Sequence, residues 1–196
     1  MEKYKLVKAE NGDIWQQVAA DLENIHFPFT YGANIQHNEF SVMLNIESDA
    51  VGGYEPAIPV TGFTTPVSIQ FTSLSARINE SRDFRFAIHD QGFIDKLGKF
   101  FGMEDVLLGY PEFDKKLIVK TNDPERCKNV FAGQEIRNVF QSLSGFNLHI
   151  AFYEEGNYAA LELNIESAIT DIAELKQIYT AFVQVMEALD NTHTHH

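Results

Sequence analysis

The order of patterns along this chain predicts an α+β fold, an antiparallel sheet built from hairpins with helices packed mainly on one face. Three observations carry that expectation. Apolar and polar residues alternate with period two over 40–47, 67–72, 84–89, 146–152 and 161–165, as in strands buried on one face. Apolar stripes at helical spacing occupy 14–25, 91–101, 124–131, 134–143 and 171–189. The strands do not alternate one-for-one with helices, as they would in a parallel βαβ sheet.

Each element has a local justification. Ile14, Trp15, Val18, Ala19, Leu22 and Ile25 form one stripe, with Gly12-Asp13 as the start and His26-Phe27-Pro28 as the stop. Trp15 reads as the anchor of this helix in the core. Phe40, Val42, Leu44 and Ile46 then alternate with Ser41, Met43, Asn45 and Glu47. Residues 49–66, punctuated by Gly52, Gly53, Pro56, Pro59, Gly62 and Pro66, form a long irregular connection. Tyr54, Ile58, Val60 and Phe63 make it too apolar for a free linker, so it is expected to cover the core edge.

Val67, Ile69 and Phe71 pair in expectation with Phe84, Phe86 and Ile88 as the apolar face of a hairpin turning at 79–83, with its other face wet. A helix over Gln91–Phe101, ended by Gly102, should lie on that hairpin. Residues 105–120 read as a turn followed by a strand from Lys116 to Lys120. Asp123 as N-cap and Pro124 in the first helical position open a helix running to Phe131. Gly133 separates it from a second helix, in which Ile136, Val139, Phe140 and Leu143 face the core.

Phe146, Leu148, Ile150 and Phe152 form a second hairpin with Leu161, Leu163 and Ile165 through the turn Glu154-Glu155-Gly156-Asn157. Asp171 to Leu189 is the strongest helix, with Asp171 and Glu174 as a capping box. Its apolar face is wide, which suits docking on a sheet better than a two-stranded seam. The expected organisation is one domain over 1–191, with a sub-boundary near 102–111 as the alternative and a flexible His-containing tail over 192–196.

Composition restricts the function. The chain of 196 residues is 44% hydrophobic, and its 16 Phe against one Trp point to a core of packed aromatic rings. Twenty-eight acidic against 15 basic residues give a net charge of −13, which repels phosphate backbones and anionic membrane surfaces. Lys115, Lys116, Lys120, Arg126 and Lys128 are interleaved with Asp114, Asp123 and Glu125 and make no basic patch. No segment approaches the roughly 18 apolar residues of a membrane span, and the N-terminus has no apolar run of signal-peptide length. The single cysteine, Cys127, excludes an intrachain disulfide and fits a reducing compartment, so the expected location is cytoplasmic. Between Arg126 and Lys128 its thiol would be activated; a small buried hydrophobe is the preferred reading.

The constellations that carry chemistry are sparse. His26, His37, His89 and His149 show no metal-ligand spacing. His89 and His149 each occupy the polar face of an expected hairpin strand and converge if the two hairpins share a sheet face. Asp105, Glu112 and Asp114 flank Gly109-Tyr110-Pro111 and are explained as a turn held by Asx side chains. Glu154 and Glu155 read as a solvated turn. There is no Gly-x-Ser-x-Gly elbow, Ser142 to Gly145 being a helix end, and Gly52-Gly53 lacks the Lys-Ser/Thr of a phosphate loop. No catalytic residue, metal or cofactor is assigned.

Gly102-Met103-Glu104-Asp105-Val106 and Gly109, then Glu112-Phe113-Asp114, the basic pair Lys115-Lys116, the apolar Leu117-Ile118-Val119, and Asn122-Asp123, resemble a signature of uncharacterised bacterial proteins classed as domains of unknown function. Some of these carry the module beside transmembrane helices. The resemblance spans the C-terminal half and implies a free-standing soluble version of that module, with no activity attached. The function expected is a non-catalytic module binding a protein partner, one of basic character, or a small ligand. The alternative is a metal-dependent or hydrolytic enzyme using His89, His149 and nearby carboxylates. An oligomer built through the last helix is the third reading.

Overall fold

Alternation along a strand decides which residues share a face, but not which strands pair, and the pairing here is the main departure from expectation. The computed structural model describes residues 5–7, 13–37, 40–51, 67–79, 83–90 and 103–193. In chain order the elements are β1 (Lys5–Val7), α1 (Ile14–Glu23), β2 (Phe29–His37), β3 (Phe40–Val51), β4 (Val67–Ile78), β5 (Phe86–Asp90), β6 (Asp105–Val106), α2 (Pro111–Lys116), β7 (Leu117–Thr121), α3 (Pro124–Val130), α4 (Gln134–Ser142), β8 (Phe146–Tyr153), β9 (Tyr158–Ile165) and α5 (Ile172–His193). The strands form one nine-stranded sheet in the order β1-β2-β3-β4-β9-β8-β5-β7-β6. Only β1, against β2, is parallel. The fold is α+β, with the helices and the inward strand residues joined in one core.

The hairpin expected between 67–72 and 84–89 does not form. β4 pairs with β3 and β9, whereas β5 lies between β7 and β8. A strand so placed has both edges paired, and Phe86, Ala87, Ile88 and His89 are all buried. The face of β4 is also inverted. Its inward residues are Thr72, Leu74 and Ala76, while Ile69 points outward. Thr72 can sit in the core because its hydroxyl donates to Ser167 O at 2.7 Å and accepts from Ile169 N at 2.9 Å.

Three strands were not foreseen, β1, β2 and β6, the last where a turn was expected. In β2 the inward residues are Tyr31, Ala33 and Ile35, but Gly32 and Asn34 dilute the pattern. It pairs along its whole length with β3, from Phe29 opposite Ser48 to His37 opposite Phe40. β3 in turn absorbs Asp49, Ala50 and Val51 from the expected 49–66 connection. The rest of that connection, the 91–101 helix and 194–196 of the expected tail lie outside the described residues.

The region 105–121 holds a helix where a turn was expected, so the following strand starts at Leu117 rather than Lys116. Pro111 opens that helix, and Lys115 and Lys116 close it in agreement with its dipole. The caps of α1, α3 and α5 follow expectation: Asp13, Asp123 and Asp171 accept from the backbone N–H of Trp15, Arg126 and Glu174. α5 runs to His193, past Leu189 and into the expected tail. The second hairpin, β8 with β9, forms as read, with Asn157 in the left-handed region at φ 46°.

Aromatic packing organises the core under β5 and β8. Phe131 meets Phe86, Phe113 and Phe140 at 5.6, 5.7 and 6.2 Å between ring centres, and Phe140 stacks on Phe146 at 5.9 Å. Trp15 is partly buried and meets Tyr179 of α5 edge-on at 5.2 Å, the anchoring role expected of it.

Candidate functional site

Of the residues singled out in the sequence, several prove to be structural. Asp114 accepts backbone N–H groups from Leu108, Gly109 and Tyr110 at 2.9, 2.8 and 2.9 Å, closing the loop ahead of α2. Phe113 is core and Asp105 pairs with Lys120 at 2.5 Å. Asn122 accepts from Arg85 N and donates to Asp83 O, tying β7 to the approach of β5. The Glu-Phe-Asp and Asn-Asp elements of the bacterial signature are thus loop anchors, core and cap. Cys127 is fully buried, and burial, reinforced by the nearby Asp123 charge, pushes its thiol up to about 12, so the activated-thiol reading fails.

The two histidines do come onto one face. In the β5–β8 register Ala87 faces His149 and His89 faces Asn147, which makes His89 and His149 diagonal neighbours on the outer side of the sheet. Their environments differ from the wet face expected. His89 is 2% exposed; its Nδ1 lies 2.9 Å from Asp90 O and so carries the proton, while Nε2 has no partner among the described residues. His149 Nδ1 lies 2.9 Å from Asn147 Oδ1, which also accepts from Asn164 Nδ2 at 3.3 Å. His149 Nε2 lies 3.5 Å from Glu162 Oε2. No group of three His, Cys, Asp or Glu side chains placed to hold a metal occurs among the described residues.

Glu162 links this row to an aromatic ladder. Tyr153 donates its hydroxyl to Glu162, which raises the phenol to about 12. Tyr153 and Tyr158, opposite each other at the hairpin end, stack with ring centres 4.9 Å apart and planes within 15°. The guanidinium of Arg77, from β4, lies 3.9 Å from the centre of the Tyr158 ring. Asn164, Asn147, His149, Glu162, Tyr153, Tyr158 and Arg77 therefore form one continuous arrangement on the outer face. At the hairpin tip Glu154 and Glu155 are exposed in the turn, as read.

The remaining outer face is where sequence reasoning went furthest astray. Met43 and Ile69 are 40% and 49% exposed there, and Phe71 is half-buried. Across from Ile69 and Phe71 stand Asp49 and Glu47. Among the described helices all pack toward the inner face, where α5 spends Leu175, Ile178, Phe182, Val185, Met186 and Leu189 on the core. On the helix side an open groove of about 470 Å³ lies between α4 and α5, lined by Glu135, Val139, Lys176, Gln177 and Thr180 among others. The signal for the outer-face cluster was the polar alternates of the second hairpin; no signal told that Ile69 points away from the core.

No helix among the described residues is long and apolar enough to cross a membrane. A scan against protein-family models finds no match, and searches of the curated proteins and of the solved structures find none either.

Proposed function

We propose that this chain is a non-catalytic binding module that docks a basic protein partner on the outer face of its sheet. The observation that carries the reading is the outward placement of Ile69, with Phe71 and Met43, on neighbouring central strands. Single exposed apolar residues are ordinary, but several on one sheet face with a polar rim mark an interaction surface. Glu47 and Asp49 stand directly across that strand pair, and the net charge of −13 steers a cationic partner toward it. The same reading places the chain in the cytoplasm, with the bacterial module whose signature it resembles.

A photo-crosslinking amino acid at Met43 or Ile69, compared with Gln177 or Thr180 in the helix groove, tests the reading in the native host. The expected result is a discrete adduct with one basic polypeptide from the sheet-face positions alone. Adducts from the groove positions only, or no adduct from either sheet-face position, overturn it.

A second reading, a hydrolase using His89 and His149 with Glu162, draws on the buried Nε2 of His89, which has no hydrogen-bond partner among the described residues. It requires that His89→Gln abolish turnover of an activated ester while leaving the fold intact; turnover unchanged in that variant removes it.

A further inference from the structure

We propose that the hairpin end of β8 and β9 is an arginine-reading element, in which Tyr153 receives a guanidinium from the protein partner. This rests on the binding-module reading and names the chemistry its partner must present. The ladder already shows its preference within the molecule. Tyr158 has Arg77 on one ring face at 3.9 Å and Tyr153 on the other, nearly parallel to it. Tyr153 has Tyr158 on one face and is 41% exposed, so the sequence Arg–Tyr–Tyr stops one rung short of symmetry. A guanidinium is planar and weakly hydrated, which lets it stack on an aromatic face where an ammonium stays solvated.

Charge favours the same occupant. The Tyr153 hydroxyl is tied to Glu162, so the ring is held in place and borders a carboxylate. The adjoining turn exposes Glu154 and Glu155, and the whole chain is acidic. Anionic ligands are repelled from such a site, and an uncharged aromatic gains nothing from the carboxylates. Met43 pairs with Ser75, which stands opposite Glu162, so the ladder borders the β3–β4 part of the outer face.

The probe is a fluorescent acetyl-(Gly-Arg)4 amide, with (Gly-Lys)4 and (Gly-citrulline)4 as arms, followed by anisotropy at low and physiological salt. The arginine peptide is expected to bind more tightly than the lysine peptide, and the citrulline peptide not to bind. Tyr153→Leu, which keeps apolar bulk, should weaken the arginine peptide by about two- to fivefold and bring it level with lysine, the size of an exposed cation–π contact. Tyr153→Phe should keep the arginine preference. Equal binding of the arginine and lysine peptides to the native protein, or an unchanged preference in Tyr153→Leu, overturns the proposal and leaves the docking face standing. An intact arginine preference with no crosslinks at Met43 or Ile69 removes the docking face and leaves the ladder.

Discussion

Replacing Thr72 by valine tests why β4 turns Ile69 outward. The side chain is fully buried, and its hydroxyl bonds Ser167 O and Ile169 N in the segment that leads from β9 into α5. Valine keeps the shape, removes both bonds and leaves the buried Ile169 N–H and the half-buried Ser167 C=O without this partner, each at about 1–3 kcal/mol at most. The added methyl returns about 0.8 kcal/mol. The net loss is about 1–5 kcal/mol, and for a chain of this size each kcal/mol lowers Tm by about 2–4 °C. Serine keeps the hydroxyl and loses one methyl, a loss of about 1 kcal/mol. Urea titration and calorimetry of the two variants give the order: Thr72→Ser should be the more stable. If Thr72→Val equals or exceeds Thr72→Ser, the hydroxyl does not hold β4 in this orientation, and the account of the outward Ile69 is wrong.

Asp114→Ala should cost about 2–4 kcal/mol, because three backbone donors lose a carboxylate acceptor, and amide exchange should accelerate at Leu108, Gly109 and Tyr110 before it does in β7. Cys127 should resist an aromatic disulfide reagent in the native protein at pH 8 and react fully in denaturant. Its thiol is raised from 9.0 to about 12, so the folded state keeps a proton that the unfolded chain gives up. Stability is therefore complete below about pH 9 and falls as pH rises toward 12; Cys127→Ala should flatten that fall in urea titrations over this range. In Gly156→Ala the new methyl would stand 2.6 Å from two carbons of the Tyr158 ring and force it aside. The ring-current shift on the Arg77 side chain should vanish from the NMR spectrum, and the arginine preference of the peptide assay should drop with it.

Where sequence reasoning worked, the determining physics was local. Asp123-Pro124 specifies a helix start through one side-chain acceptor and one missing donor, and the structure places both as expected. The turn Glu154–Asn157 joins two strands adjacent in sequence, and β8 and β9 pair as the expected hairpin. Where it failed, the determining physics was non-local. Nothing near Phe86 shows that β7 and β8 will flank it, and nothing near Thr72 shows that Ser167 and Ile169 will satisfy its hydroxyl. The same limit hid the site: Arg77, Tyr158, Tyr153 and Glu162 come from three strands, and only β8 and β9 are neighbours in sequence.

The outward apolar residues of β4 invite a simpler account, that isoleucine and phenylalanine are there for strand propensity alone. The neighbouring positions argue against it. On the same outer face β4 continues with Ser73 and Ser75, and β3 carries Ser41 and Asn45, which are poorer strand formers in equally central strands. The sheet tolerates small polar residues there without losing register, since register is set by the buried alternates Val42, Leu44 and Ile46 against Leu74 and Ala76. Propensity therefore does not require Ile69 or Met43 to be apolar, and burial does not either. Under the docking proposal, a half-exposed isoleucine opposite an aspartate supplies surface for a partner to cover, and the acidic rim favours a basic one.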